Sequence, residues 1–310
     1  MVRQSHDRGP TVLECDSPKE TIWRRHFRLS DEPFALTPDP AFLFLSESHA
    51  EALAGLKLGL LERRGLMVLT GEVGTGKTTI VYSLLSRLDC RIETAYVSNT
   101  SLSFEDMIHT ALRDLGSPSS SKDGLSLLES LNVFLEACAT DGKTAAIVID
   151  EAQNLSDRTF EKLRLLLNFE TYRAKLLQIV LAGQPELGDR LRSRGLRQLA
   201  ERVAVRCSLD PLSSRDTRSY IDHRLKAVGG SSELFTRSAL SLLVRRSHGI
   251  PRRVNILGHN AMIFAFGEGR MKVPRSLVAE AARDKARGRF RESRRSLFLR
   301  LGGSRHRANP

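Results

Sequence analysis

Residues 66–85 read Leu66-Met67-Val68-Leu69-Thr70-Gly71-Glu72-Val73-Gly74-Thr75-Gly76-Lys77-Thr78-Thr79-Ile80-Val81-Tyr82-Ser83-Leu84-Leu85. The apolar run Leu66–Thr70 reads as a buried parallel strand, and Thr79–Leu85 as the opening turns of a helix. Between them Gly71–Thr78 has the spacing G-x-x-x-x-G-K-T of a phosphate-binding P-loop, in the strand–loop–helix setting that the motif requires. Backbone N–H groups of such a loop form a nest for phosphate oxygens, and the helix N-terminus adds partial positive charge. Gly71, Glu72, Val73, Gly74, Thr75, Gly76, Lys77, Thr78 and Thr79 are therefore the candidate nucleotide-binding residues. Lys77 is expected to reach the β- and γ-phosphates, and Thr78 to place a hydroxyl on Mg²⁺.

Outward from the loop, apolar runs and helical periods alternate. Ile92–Val97, Ala145–Ile149 and Leu176–Ala182 read as strands, the second wholly apolar as in a sheet covered on both faces. Phe104–Leu115 reads as a helix capped by Ser103, Leu125–Ala139 as a second and Phe160–Phe169 as a third. This order predicts an α/β fold, a P-loop NTPase parallel sheet sandwiched by helices. From about Pro211 the texture changes to three helical patterns, Thr217–Val228, Thr236–Ser247 and Arg253–Phe266. The expected organisation is a mobile arm at 1–26, the nucleotide-binding unit at 27–210, a small all-helical lid at 211–286 and a basic tail at 287–310.

The chain has 310 residues and a formal net charge of +12. Residues 285–310 hold nine Lys/Arg against Glu292 alone, residues 1–28 add a net +2, and the body carries only about +2. The basic character therefore belongs to the tail. With Phe290, Leu297, Phe298 and Leu301 interleaved among its arginines, the tail leaves three readings open. They are phosphate contact with DNA, adhesion to an anionic membrane surface, and a solvated end. No run is long and apolar enough for a membrane-spanning segment or a signal peptide, so a cytoplasmic location is expected. Cys15, Cys90, Cys138 and Cys207 form no C-x-x-C pair and suggest isolated thiols.

A P-loop alone does not separate kinases from hydrolases. The acids Asp150-Glu151 end the apolar strand Ile147-Val148-Ile149. The first suits a ligand of Mg²⁺, and the second a general base for the attacking water. Gln184 follows the next strand and is placed to hydrogen-bond that water, although a plain loop glutamine explains it equally well. Arg197, Arg202, Arg252 and Arg253 are candidates to stabilise charge on the transferring phosphoryl group.

Phe34–Ser46, His49, Glu51–Leu53, Leu69–Thr79, Asp150–Leu155, Leu181–Leu187, Leu196–Leu199 and Gly249–Arg252 together resemble the ATPase domain of the general secretion pathway protein A (ExeA-like) family. That family is a branch of the AAA+ ATPases near the ORC1-like group, and the resemblance covers roughly residues 27–285. It implies that Gly71–Thr78 is Walker A, Asp150 and Glu151 are Walker B, and Gln184 is the sensor-1 residue. It further implies that Arg252 is the sensor-2 arginine and Arg202 the arginine finger, with Arg197 second. A finger supplied by a neighbouring copy implies a homo-oligomer. The segment around Pro38 to His49 is similar to the part that covers the adenine. Secretion members usually continue into a membrane span and a peptidoglycan-binding domain, whereas this sequence continues only into a short basic tail. The expected function is an ATPase that drives assembly or remodelling of a partner, linked to DNA and a transposase by analogy with stand-alone relatives. A secretion or envelope-assembly ATPase and an assembly switch with little hydrolysis are the alternatives. A DEAD-type helicase, suggested by Asp150-Glu151-Ala152, ranks lower because a second RecA-like domain is missing.

Overall fold

The computed structural model describes residues 22–37, 39, 42–117, 124–172 and 174–287. Helix α1 (Ile22–His26) and α2 (Glu47–Leu61) precede strand β1 (Leu66–Gly71), which feeds the P-loop and α3 (Lys77–Leu85). Next come β2 (Ile92–Val97), α4 (Phe104–Asp114), α5 (Gly124–Thr140), β3 (Thr144–Ile149) and α6 (Asp157–Leu166). β4 (Leu177–Gly183), α7 (Pro185–Arg192), α8 (Arg197–Ala200) and β5 (Val203–Leu209) complete an α/β unit. α9 (Ser214–Lys226), α10 (Arg237–Ser247), α11 (Pro251–Gly267) and α12 (Arg275–Arg287) then form a helical unit.

The five strands are parallel in the order β2-β3-β4-β1-β5. The P-loop strand β1 lies between β4 and β5, and the acid-bearing β3 lies one strand away beyond β4. All the loops at the carboxyl ends of these strands therefore open toward one edge, where α/β sheets bind ligands. Side-chain alternation divides the packing. Leu66, Val68, Ile147, Ile149, Ile179 and Leu181 face α4 to α8. Met67, Leu69, Ala146, Val148, Val180 and Ala182 face α2 and α3. β3 and β4 are buried throughout, as their apolar sequences require.

The helical unit has its own core, built from Tyr220, Ile221, Leu225, Leu243, Val254, Met262 and Val278. Trp23, Phe27, Leu29 and Phe34 belong to that same core, with Phe42 and Phe44 against it. Two expectations change here. Residues 22–26, expected in a mobile arm, form α1 with Trp23 buried. Phe27, Leu29, Phe34, Phe42 and Phe44, expected in the nucleotide-binding unit, pack on the lid core instead, while Leu43 packs on the sheet core. The physical reason is these four phenylalanine side chains, which find no open apolar surface on a sheet already covered by α2 and α3. The arm before residue 22 and the tail beyond 287 lie outside the described residues.

Candidate functional site

The P-loop turns on glycines with positive φ, +85° at Gly74 and +108° at Gly76, the latter capping α3. Lys77 opens α3 and is buried. Its Nζ donates to the carbonyls of Gly71 at 2.7 Å and Glu72 at 3.1 Å, so the ammonium is drawn back across the loop. Burial pushes its pKa down, opposed by the nearby carboxylates of Glu151 and Asp150. The loop is braced from behind by Thr75, whose hydroxyl donates to the Glu72 carbonyl at 2.9 Å.

Asp150 and Glu151, at the end of β3, lie beside the loop. Thr78 Oγ1 donates to Asp150 Oδ2 at 2.7 Å, and Tyr96 O–H donates to the same oxygen at 3.1 Å. Burial and the Asp150 charge push the Tyr96 phenol far up, which keeps it a donor. Asp150 is 3% exposed. Glu151 follows in the left-handed region with φ +52°, a conformation that costs a non-glycine residue on the order of 1–3 kcal/mol. Its Oε2 accepts from Gln153 Nε2 at 2.6 Å and from Gln184 Nε2 at 3.4 Å. Gln153 Oε1 in turn accepts the Gln184 backbone N–H at 3.0 Å, so the two glutamines and Glu151 form a closed triangle. Gln184 caps α7, and Pro185 at its first position fixes the turn that aims Gln184 inward.

Beside the loop is a cleft of about 380 Å³, lined on one wall by Val73 to Thr79 and Glu151 and on the other by lid residues including Tyr220, Arg224 and Arg252. Arg252 reaches it because its backbone N–H donates to the Gly74 carbonyl at 3.2 Å. Arg202 lies elsewhere. Its Nη1 donates to Asn168 Oδ1 at 2.7 Å and to the Arg164 carbonyl at 3.2 Å, outside the cleft of its own chain. Arg197 is also outside, paired with Glu201 at 3.0 Å.

Two contributors had no role assigned from sequence. Gln153 holds Glu151. His49, buried on α2, offers Nδ1 to Ser46 Oγ at 2.6 Å and Nε2 to the Thr75 carbonyl at 2.9 Å. Because Thr75 O accepts only, Nε2 carries the proton and Nδ1 accepts from the serine. Both residues lie inside stretches quoted for the resemblance, which is the signal the sequence offers for them.

Among the described residues no group of three or more His, Cys, Asp or Glu could hold a metal ion. Thr78 and Asp150 form a two-oxygen donor pair, which suits Mg²⁺, an ion that usually takes one or two protein ligands beside substrate phosphates and water.

Residues 60–191 match the family described as AAA domain. Over 262 residues the chain is 42% identical to general secretion pathway protein A of Aeromonas hydrophila, a match covering 84% of this chain and 48% of that protein. The chain thus spans about half the length of that curated relative. The fold is similar to that of the Aeropyrum pernix ORC2 protein in its ADPNP–ADP complexes, with a TM-score of 0.64, 19% identity, and coverage of 82% of this chain and 72% of that one. It is similar also to the Aeropyrum pernix ORC1 protein in complex with DNA, with a TM-score of 0.60, 18% identity, and coverage of 88% and 73%. The chain therefore has an AAA+ P-loop NTPase fold with an AAA domain at residues 60–191, and over most of its length it is similar to about half of general secretion pathway protein A.

Proposed function

We propose that this protein is an ATPase that cleaves the β–γ phosphoanhydride of ATP and uses the cycle to drive assembly or remodelling of a partner. The observation that carries this reading is the Glu151 carboxylate on the wall of the P-loop cleft, steered by Gln153 and Gln184. A protein that only bound nucleotide would have no use for a strained, doubly held carboxylate at that place. In the proposed reaction the Gly71–Thr78 amides and Lys77 hold the phosphates. Water attacks the γ-phosphorus, the bond to the β–γ bridging oxygen breaks, and Glu151 accepts the proton. Gln184 orients the water, and Arg252 from the lid stabilises the developing charge. Thr78 and Asp150 would hold Mg²⁺, which when bound neutralises charge on the phosphate oxygens. Arg202, turned away from its own cleft, would serve the site of a neighbouring copy in a homo-oligomer.

The test is turnover with and without the base. Glu151→Gln should bind ATP as wild type does and lose roughly 10²–10⁴-fold in kcat. Equal, negligible turnover by both proteins would favour the assembly switch.

For the partner we propose DNA, handled together with a client such as a transposase in the cytoplasm. A DNA complex of a protein with this fold supports that reading, as does the basic character of residues 285–310. ATP-dependent DNA binding that weakens steeply with salt, and weakens further without residues 287–310, is the expected result. No affinity at low salt would overturn it. A second reading, a secretion or envelope-assembly ATPase, is favoured by the 42% identity to general secretion pathway protein A.

A further inference from the structure

The cleft has two ends built from different parts of the chain. The phosphate end belongs to the α/β unit. The other end is formed by residues 35–37, 39 and 42–44 facing Tyr220 and Arg224 of α9 and Asn255 of α11. An irregular backbone needs partners for its carbonyls from elsewhere, and here they come from Arg224. This side chain is 5% exposed. Its Nε donates to the Pro33 carbonyl at 2.5 Å and its Nη2 to the Ala35 carbonyl at 3.1 Å. The same guanidinium lies over the Phe42 ring, 4.2 Å from its centre, and 6.0 Å from that of Tyr220. Asn255 on α11 adds a second donor to the Ala35 carbonyl at 3.1 Å and accepts the Tyr220 O–H at 2.9 Å. The carboxylates acting on Arg224 through space are Asp39 and Glu32.

We infer that Arg224 is the positioning residue of the nucleobase wall: by clamping Pro33, Ala35 and Phe42 to the lid it shapes the surface that receives the base, while Lys77 and Thr78 hold the phosphates independently. The inference rests on the nucleotide-binding reading above. A planar fork that serves two carbonyls and stacks on a ring is not replaceable by a lysine point charge. The base end of the cleft should therefore fail in Arg224→Lys while the phosphate end survives.

The experiment measures the affinities of full-length wild type, Arg224→Lys and Tyr220→Phe for ATP, GTP and inorganic tripolyphosphate by calorimetry, with thermal unfolding alongside. Tripolyphosphate reads the phosphate end alone. Arg224→Lys should lose about tenfold or more in ATP affinity, keep its tripolyphosphate affinity within about twofold, and discriminate ATP from GTP less well than wild type. Tyr220→Phe, which leaves the ring and removes one bond to Asn255, should move the same way by less and serves should Arg224→Lys not fold. Parallel losses for ATP and tripolyphosphate would reduce Arg224 to a structural role and overturn the inference. So would unchanged ATP affinity, or a wild type that binds tripolyphosphate as tightly as ATP. A wild type that binds neither ligand would overturn the nucleotide-binding reading itself.

Discussion

A methyl group at residue 74 would lie 2.6 Å from Cβ of Arg252, on a backbone whose φ of +85° already disfavours any side chain. Gly74 is therefore where the P-loop touches the lid. Gly74→Ala should lower nucleotide affinity and cost on the order of 1–3 kcal/mol, read as a fall in both ATP binding and Tm; an unchanged Tm would mean the contact is dispensable. Gly249 presents the same geometry at the lid's entrance, since its added Cβ would meet the Leu212 carbonyl at 2.2 Å. At this scale the sequence disclosed much. Lys77 and Thr78 sit in one motif and Asp150 and Glu151 end a distant apolar strand, and the order β3-β4-β1 brings the two together. Gln153 and His49 were in view but silent, because what they do depends on a loop or helix arriving beside them. Arg202 shows the limit. The resemblance offers it as a finger for a neighbouring copy, and only the fold discloses that within its own chain it caps the end of α6 through Arg164 and Asn168.

Between elements, His49 links α2 to the P-loop, and this makes the loop sensitive to acid. Burial holds the His49 imidazole below its ordinary value of 6.5, the hydrogen bond to Thr75 opposing only in part. The unfolded chain therefore binds a proton more readily than the folded one. The stabilisation from neutral His49 is present above about pH 6.5 and is lost as pH falls toward the folded-state value. Stability should decline on acidification through this window in wild type and decline less in His49→Gln, as urea midpoints at several pH values would reveal; identical slopes would sink the idea. The strands read from sequence were the buried β1, β3 and β4 and the partly buried edge strand β2. β5 was not read as a strand because it alternates, with Val205 and Cys207 packed on α2 and Ala204, Arg206 and Ser208 exposed at the sheet's edge. α7 and α8, with eight and four residues, are too short for a helical period to stand out.

At the scale of the whole molecule, the division into a sheet unit and a helical lid was legible from the change of texture near Pro211. The allegiance of residues 22–44 was not, because no local pattern says which core an aromatic side chain will join. Phe34 is 1% exposed and its ring lies against Gly258, where an added Cβ would come within 2.8 Å. Phe34→Ala should cost about 3–5 kcal/mol, and the loss should appear first as protease sensitivity of the lid, with the α/β unit persisting. Simultaneous loss of both units would show that they fold as one.

The clamp on Pro33 and Ala35 has a consequence in time. Those residues leave the ribosome well before Arg224 and Asn255 exist, and the whole sheet is made in between. Strand pairing and the P-loop can form on the nascent chain, but one wall of the cleft has to wait for its partners. Chains arrested near residue 213 should therefore protect β1 and α3 from proteolysis while residues 22–44 are cut, and protection of that segment should appear only once α11 has emerged. The protein would thus acquire its grip on phosphate early and its grip on the rest of the nucleotide last, so that a half-made chain is a poor competitor for ATP.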